Sequence, residues 1–291
     1  MDDLSRRGLA AAVAVARRLG LRDVEPEVLK DSSNLLVRLR PAPVVARVAT
    51  TTALVRSDVA AWLDRELAVA RYLQGRGAPV APPSADLPPG PHRHDGLEMS
   101  FWTHLPHDPA RMPAPEDVGR LLADLHHALR GYPGELPGHA PLDDVDATLA
   151  LLDRAGVVAG DDLALLRAHR DRLAETLHTS RSTQPLHGDA HPGNLLLTPE
   201  GPVWNDFEDT WRGPVAWDLA CLAETPRLDG PAAVAGYPDP PEDGELAHFR
   251  AARRVQGTLW VMLLATRFPD RRAFAADWLR RWRESVTGKP G

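Results

Sequence analysis

The stretch from Pro185 to Glu224 constrains this chain more than any other. Helical periodicity runs on either side of it, over Asp161 to Leu177 before and Glu245 to Thr266 after. Inside it, two short β-like pieces, Leu195 to Leu197 and Val203 to Asp206, alternate with turns built from Gly, Pro and Asp. Three carboxylates and one carboxamide are thereby set on turns: Asp189, Asp206 and Asp218 with Asn194. The same stretch carries Trp204, Trp211 and Trp217, which flank the short strands and read as core.

The chain before this stretch has a different texture. Leu4 to Leu19 is spaced as an amphipathic helix, and Asp2 and Asp3 in front of it argue against a twin-arginine export signal on Arg6 and Arg7. Asn34 to Leu39 and Val44 to Val48 form a β-prone pair parted by Pro41 and Pro43, which predicts a hairpin. Trp62, Ala68, Val69, Tyr72 and Leu73 then recur at helical spacing over Asp58 to Gln74, with Gly75 and Gly77 as a stop. Gly96 to Leu105 supplies one more strand. Beyond it the pattern is mainly helical, over Glu116 to Leu129, Asp146 to Leu152 and Arg271 to Val286. The predicted division is therefore a sheet-plus-helix lobe over 1–101 and a helical lobe over 102–291.

Composition removes several function classes. With 291 residues the chain can bury two sizeable cores, and 43% hydrophobic with 25% charged residues is a globular balance. A formal net charge of −6 disfavours nucleic acid as a partner, because phosphate backbones are bound by basic faces. The single cysteine, Cys221, forbids an internal disulfide or a multi-cysteine zinc site and reads as helix packing in a reducing compartment. No stretch is long and apolar enough to span a membrane, so a cytoplasmic protein is expected.

The polar turns point to phosphoryl transfer. That chemistry needs a metal to neutralise phosphate charge and a carboxylate to orient and deprotonate the attacking hydroxyl, and little covalent help. Asp189 and Asn194 are five apart in the run Leu186-His187-Gly188-Asp189-Ala190-His191-Pro192-Gly193-Asn194, the separation of base and magnesium ligand in the catalytic loop of protein kinases. Asp206, followed by Phe207, stands where kinases carry a second metal-binding Asp.

With His-Gly-Asp in this loop and Gly213-Pro214-Val215-Ala216-Trp217-Asp218-Leu219-Ala220 after it, nearly the whole chain resembles the aminoglycoside phosphotransferase family, the kinase-like small-molecule phosphotransferases. The resemblance implies an α+β, two-lobed protein-kinase-like fold with a small antiparallel sheet plus helix in the first lobe and a larger, mostly helical second lobe. It implies Asp189 as catalytic base, Asn194 and Asp206 as magnesium ligands, and His187 and Asp218 as organisers of the loop. Arg47 falls where the family has a phosphate-binding lysine, with Glu66 its ion-pair partner. Ser32 and Ser33 fall in the phosphate-covering turn, and Met99 and Phe101 in the hinge that meets the adenine edge. ATP or GTP is the implied co-substrate with Mg2+, and the implied partner is a small-molecule hydroxyl acceptor: an aminoglycoside or related antibiotic, as in antibiotic resistance, or a metabolite of the choline, homoserine or sugar type.

Two departures from kinase patterns stand out. Arg47 replaces lysine, and neither Lys30 nor Lys289 lies on its strand; Glu208 follows Asp206-Phe207 where protein kinases have Gly, and no glycine-rich loop is present. Two alternatives of other classes follow from the residues: a nucleotide-binding module without transfer activity, suggested by Arg47, and a metallohydrolase using the alternating His187, Asp189 and His191.

Overall fold

A computed structural model describes residues 1–179 and 182–288, so Lys289 lies outside the described residues. In chain order the elements are α1 (Asp3–Arg18), β1 (Glu25–Asp31), β2 (Asn34–Arg40), β3 (Val44–Ala49), α2 (Val59–Gly75), β4 (His92–His94), β5 (Leu97–Thr103), α3 (Pro115–Leu129), α4 (Ala140–Ala155), α5 (Gly160–Thr179), β6 (Gln184–Leu186), β7 (Leu195–Thr198), β8 (Gly201–Trp204), β9 (Trp211–Gly213), α6 (Val215–Ala223), α7 (Gly230–Ala235), α8 (Asp243–Arg267) and α9 (Arg272–Thr287). No helix among the described residues is long and apolar enough to cross a membrane.

By packing, these elements form two compact units. The first comprises 1–113, 127–134 and 192–210; the second comprises 114–126, 135–191 and 211–291. This is not the division expected at residue 101. The first unit runs on to 113 and captures the β7–β8 hairpin, because Trp204 joins Val80 in a bridge and exchanges backbone hydrogen bonds with Pro79 and Ala81.

The first unit is built on an antiparallel sheet of order β1-β2-β3-β5-β4. Period-2 alternation sends Leu35, Val37 and Leu39 of β2, Val44, Ala46 and Val48 of β3, and Met99 and Phe101 of β5 to one face. There they bury against Ala11, Ala12 and Val15 of α1. That helix starts where the Asp2 carboxylate accepts the Ser5 N–H at 2.7 Å. Strand β1 escapes a pattern reading because it is an edge strand with no apolar alternation: Val28 and Leu29 are both more than 40% exposed.

The second unit is a helical layer. Val145, Leu149 and Leu152 of α4, Leu163 and Leu166 of α5, Val255 and Leu259 of α8, and Leu279 and Trp282 of α9 share one core. On α6, Trp217 and Cys221 are buried, as is Trp211 on β9.

Gly8 sets how closely α1 approaches the sheet: a Cβ there would lie 3.0 Å from Leu35 Cδ2 and 3.5 Å from Val48 Cγ1. Gly8→Leu is expected to lower stability by about 1–3 kcal/mol through overpacking, read from the urea unfolding midpoint.

Candidate functional site

Register places Arg47 on the sheet face opposite α1. It pairs with Leu36 on one side and Ser100 on the other, one step out of phase with the core positions Ala46 and Val48. A guanidinium buried there needs carboxylates, and three supply them. Its Nη1 donates to Glu66 Oε1 of α2, and its Nη2 lies 2.7 Å from both Asp206 Oδ1 and Glu208 Oε2. A planar fork can bridge three acceptors in this way; a lysine ammonium, a point charge, would not reproduce the geometry.

Glu208 is the residue that sequence reasoning undervalued. It is buried, accepts the Asn34 carboxamide at 3.2 Å on both oxygens, and pairs with Arg56 at 3.3 Å. Arg56 also holds Asp209 and lies 3.8 Å over the Trp62 ring. Four carboxylates thus surround two arginines. Burial alone would lower Arg47, but Asp206, Glu208 and Glu66 more than offset it, so Arg47 stays raised and charged. Burial pushes Glu66 up to about 8 against the pull of Arg47, and pushes Glu208 up as well.

A cavity of about 270 Å³ opens beside this cluster within the first unit. Arg47, Glu66, Asn194 and Asp206 line it, and so does Lys30 of β1. Lys30, set aside in the sequence because it does not lie on the Arg47 strand, reaches the cavity from β1. Asn194 ends a 3-10 turn, and its carbonyl accepts the Asn205 N–H at 3.0 Å, which ties that turn to the residue before Asp206. Asp206 lies two residues past the end of β8 rather than ending it, in the left-handed region at φ 67°, which aspartate tolerates better than most side chains.

One expectation about this cavity needs correction. Met99 and Phe101 point into the α1-facing core, and the Phe101 N–H and C=O are bonded to Pro89 and Ser84. Trp102, Thr103, His104 and Leu105 line the cavity instead. Ser32 and Ser33 form the turn between β1 and β2, where their carbonyls accept the Thr51 and Thr52 hydroxyls at 2.7 and 3.2 Å.

The donor set fits magnesium of a particular kind. Among the described residues no group of three or more His, Cys, Asp or Glu could hold a metal ion. Magnesium commonly binds one or two protein oxygens and takes the rest from substrate phosphates and water, which is what one carboxamide and one carboxylate beside two cations can serve.

In the second unit, Asp189 sits on the loop after β6. Asp218 of α6 accepts the N–H groups of His187 and Gly188 at 2.8 and 2.9 Å, and Trp217 Nε1 donates to the Gly188 carbonyl at 2.7 Å. His126 of α3, which sequence reasoning missed, bonds Asp218 at 2.9 Å and the Tyr237 hydroxyl at 3.0 Å. Asp189 donates its N–H to His187 Nδ1 at 3.3 Å. Its carboxylate is held by Arg253 of α8 and by His191 Nε2 at 3.3 Å. Burial would raise Asp189, but Arg253, with His191 and His187, keeps it well below the usual carboxylate range. His187 Nδ1 thus faces backbone and Asp189 faces an arginine, so the three residues do not form the ligand set a metallohydrolase requires.

Comparison with known proteins gives these features a setting. Residues 26–253 match the profile of the phosphotransferase enzyme family. Stress response kinase A of Salmonella choleraesuis (strain SC-B67) is 29% identical over 161 residues, which cover 50% of this chain and 49% of the relative. An N-acetylmuramate/N-acetylglucosamine kinase of Pseudomonas putida (strain KT2440) is 32% identical over 136 residues, covering 42% of this chain and 39% of the relative. The chain thus spans about half the length, or less, of these curated relatives. A solved GDP and kanamycin complex of APH(2")-IIia matches with a TM-score of 0.70 at 15% identity, covering 95% of this chain and 99% of that one. At that identity the likeness concerns the fold, which is the expected kinase-like α+β fold.

Two outcomes follow from the buried cluster. Arg47→Ala takes the arginine away from Glu66 and Asp206, while Glu208 keeps Arg56 and Asn34, and is expected to cost about 3–5 kcal/mol in chemical denaturation. Because the folded-state pKa of Glu66 is raised, its contribution to stability is full below about pH 4.5 and is lost as pH rises toward about 8. Glu66→Gln should therefore flatten the decline in stability across that window, measured by urea unfolding at a series of pH values.

Proposed function

Because the chain belongs to the phosphotransferase enzyme family, we propose that it moves the γ-phosphoryl group of ATP or GTP onto a hydroxyl of a small molecule. The observation that supports this best is a single cavity lined both by cations, Arg47 and Lys30, and by the magnesium-type donors Asn194 and Asp206.

Each residue then has a task. Arg47 and Lys30 hold the phosphates, and Glu66 fixes Arg47. The adenine edge meets the backbone near His104 and Leu105. Asn194 and Asp206 would hold magnesium, which when bound would supply neutralisation of the charge on the transferring group. Asp189 orients the acceptor hydroxyl; as its oxygen bonds to the γ-phosphorus and the bond to the β-phosphate oxygen breaks, its proton passes to the Asp189 carboxylate. A carboxylate held well below its usual range by Arg253 is a weak base, which suits a loose transition state in which proton transfer trails bond formation. Asp218, His126 and His187 keep that loop in shape. A cytoplasmic location, where nucleotide triphosphate is supplied, goes with this chemistry.

The names of the relatives point the acceptor search at sugar-like hydroxyls and at antibiotics, and resistance would follow only from the latter. One observation favours nucleotide binding without transfer: Arg47 already engages Asp206, and that contact has to loosen for a metal.

Asp189→Asn is expected to lower acceptor-dependent nucleotide consumption by about 100-fold or more while nucleotide affinity stays near wild type. Near-native turnover would reject the assigned base. Asp206→Ala should erase the difference between nucleotide affinities measured with and without magnesium, and an unchanged difference would count against its metal role.

A further inference from the structure

A second cavity, of about 470 Å³, lies within the second unit, and its chemistry differs from the first. Arg227, Arg253, Arg254 and Arg281 line it, with Glu224 the one carboxylate in its lining among the described residues. Glu224 is already bonded to Arg250 at 2.6 Å and paired with Arg254 at 3.5 Å, Asp277 takes Arg281, and Asp189 takes Arg253. Arginines still outnumber the carboxylates set against them. Arg227 in particular makes no ion pair among the described residues.

The rest of the lining is built to receive something. Trp282 is 95% buried, yet its indole N–H has no acceptor among the described residues. An orphaned donor of this kind costs stability unless a ligand or water meets it. Trp278 is fixed by its N–H to Thr258 Oγ1 at 3.2 Å, and offers an aromatic wall. Gly257 of α8 leaves room, since a Cβ added there meets no atom within 4 Å. His191 and Arg253, which both hold the Asp189 carboxylate, also line this cavity.

We propose that this cavity binds a hydroxylated small molecule through an anionic group, a carboxylate or a phosphate, placed against Arg227, Arg254 and Arg281. On the phosphotransferase reading above, on which this rests, that molecule is the acceptor and its hydroxyl end lies toward Asp189. A polycationic acceptor of the aminoglycoside kind would meet like charge here, which costs affinity and slows encounter.

Four ring-matched probes test this on the full chain by tryptophan fluorescence: glucuronate, glucose 6-phosphate, glucose and glucosamine. Saturable quenching by one or both anions is expected, with glucose and glucosamine at least about fivefold weaker, and with the anion affinity falling as salt rises. The better anion tells carboxylate from phosphate. Arg227→Glu should weaken the anion by about three- to tenfold and leave glucose unchanged. Gly257→Leu, which fills open space and should keep the unfolding midpoint, should abolish binding of all four. Glucosamine binding as well as the anions, indifference of the anions to Arg227→Glu, or no quenching by either anion overturns the proposal. Nucleotide consumption with the same probes separates the two readings. Anion binding with no consumption supports the anion site and counts against phosphoryl transfer. Consumption that prefers glucosamine and ignores Arg227→Glu keeps transfer and overturns the anionic acceptor.

Discussion

A guanidinium taken out of water must be met by acceptors wherever the chain can bring them, and in this protein Arg47 draws together three segments far apart in sequence. Glu66 comes from α2, and Asp206 and Glu208 come from beyond residue 200. Those contacts help explain why 192–210 packs with the first unit although the residues around it in sequence do not. Arginine suits this position for a structural reason: one ammonium cannot satisfy acceptors arriving from two directions with fixed geometry.

The second unit uses the reverse arrangement. There a buried carboxylate, Asp218, gathers two backbone N–H groups and His126, so the turn that carries Asp189 is held by its own main chain. Both devices hold polar side chains in place before any ligand arrives, which is how a protein lowers a barrier by electrostatics without reorganising at the moment of reaction. In both, removing the central charge would leave buried partners unsatisfied, so stability and function draw on the same contacts.

The two cavities differ in how their charges are met. Around the first, Arg47 and Lys30 face Glu66 and Asp206 in the lining, and burial drives Glu66 and Glu208 toward protonation. Around the second, arginines exceed carboxylates and an indole N–H lacks an acceptor. Net charge conceals this, since an overall −6 says nothing about where each sign collects.

Much of the architecture was legible in order along the chain. The β2–β3 hairpin, α2 and the long helices follow from local periodicity and stops, and the spacing of Asp189 and Asn194 with Asp206 beyond them singles out the polar turns, because these are relations between near neighbours. What the amino-acid order could not disclose depends on partners distant in sequence. Edge strand β1 has no apolar alternation, so no local pattern places Lys30 beside Arg47; Glu208 looks like an unimportant replacement of a glycine until Asn34, Arg47 and Arg56 converge on it. The family resemblance puts Met99 and Phe101 in ligand contact, but the phase of β5 turns them into the core, and Trp102 through Leu105 line the cavity. The sequence by itself determined which residue types are present and how each helix and strand is phased. Only the tertiary structure decided which charges share a buried space, because that pairing rests on distances between segments that no local pattern encodes.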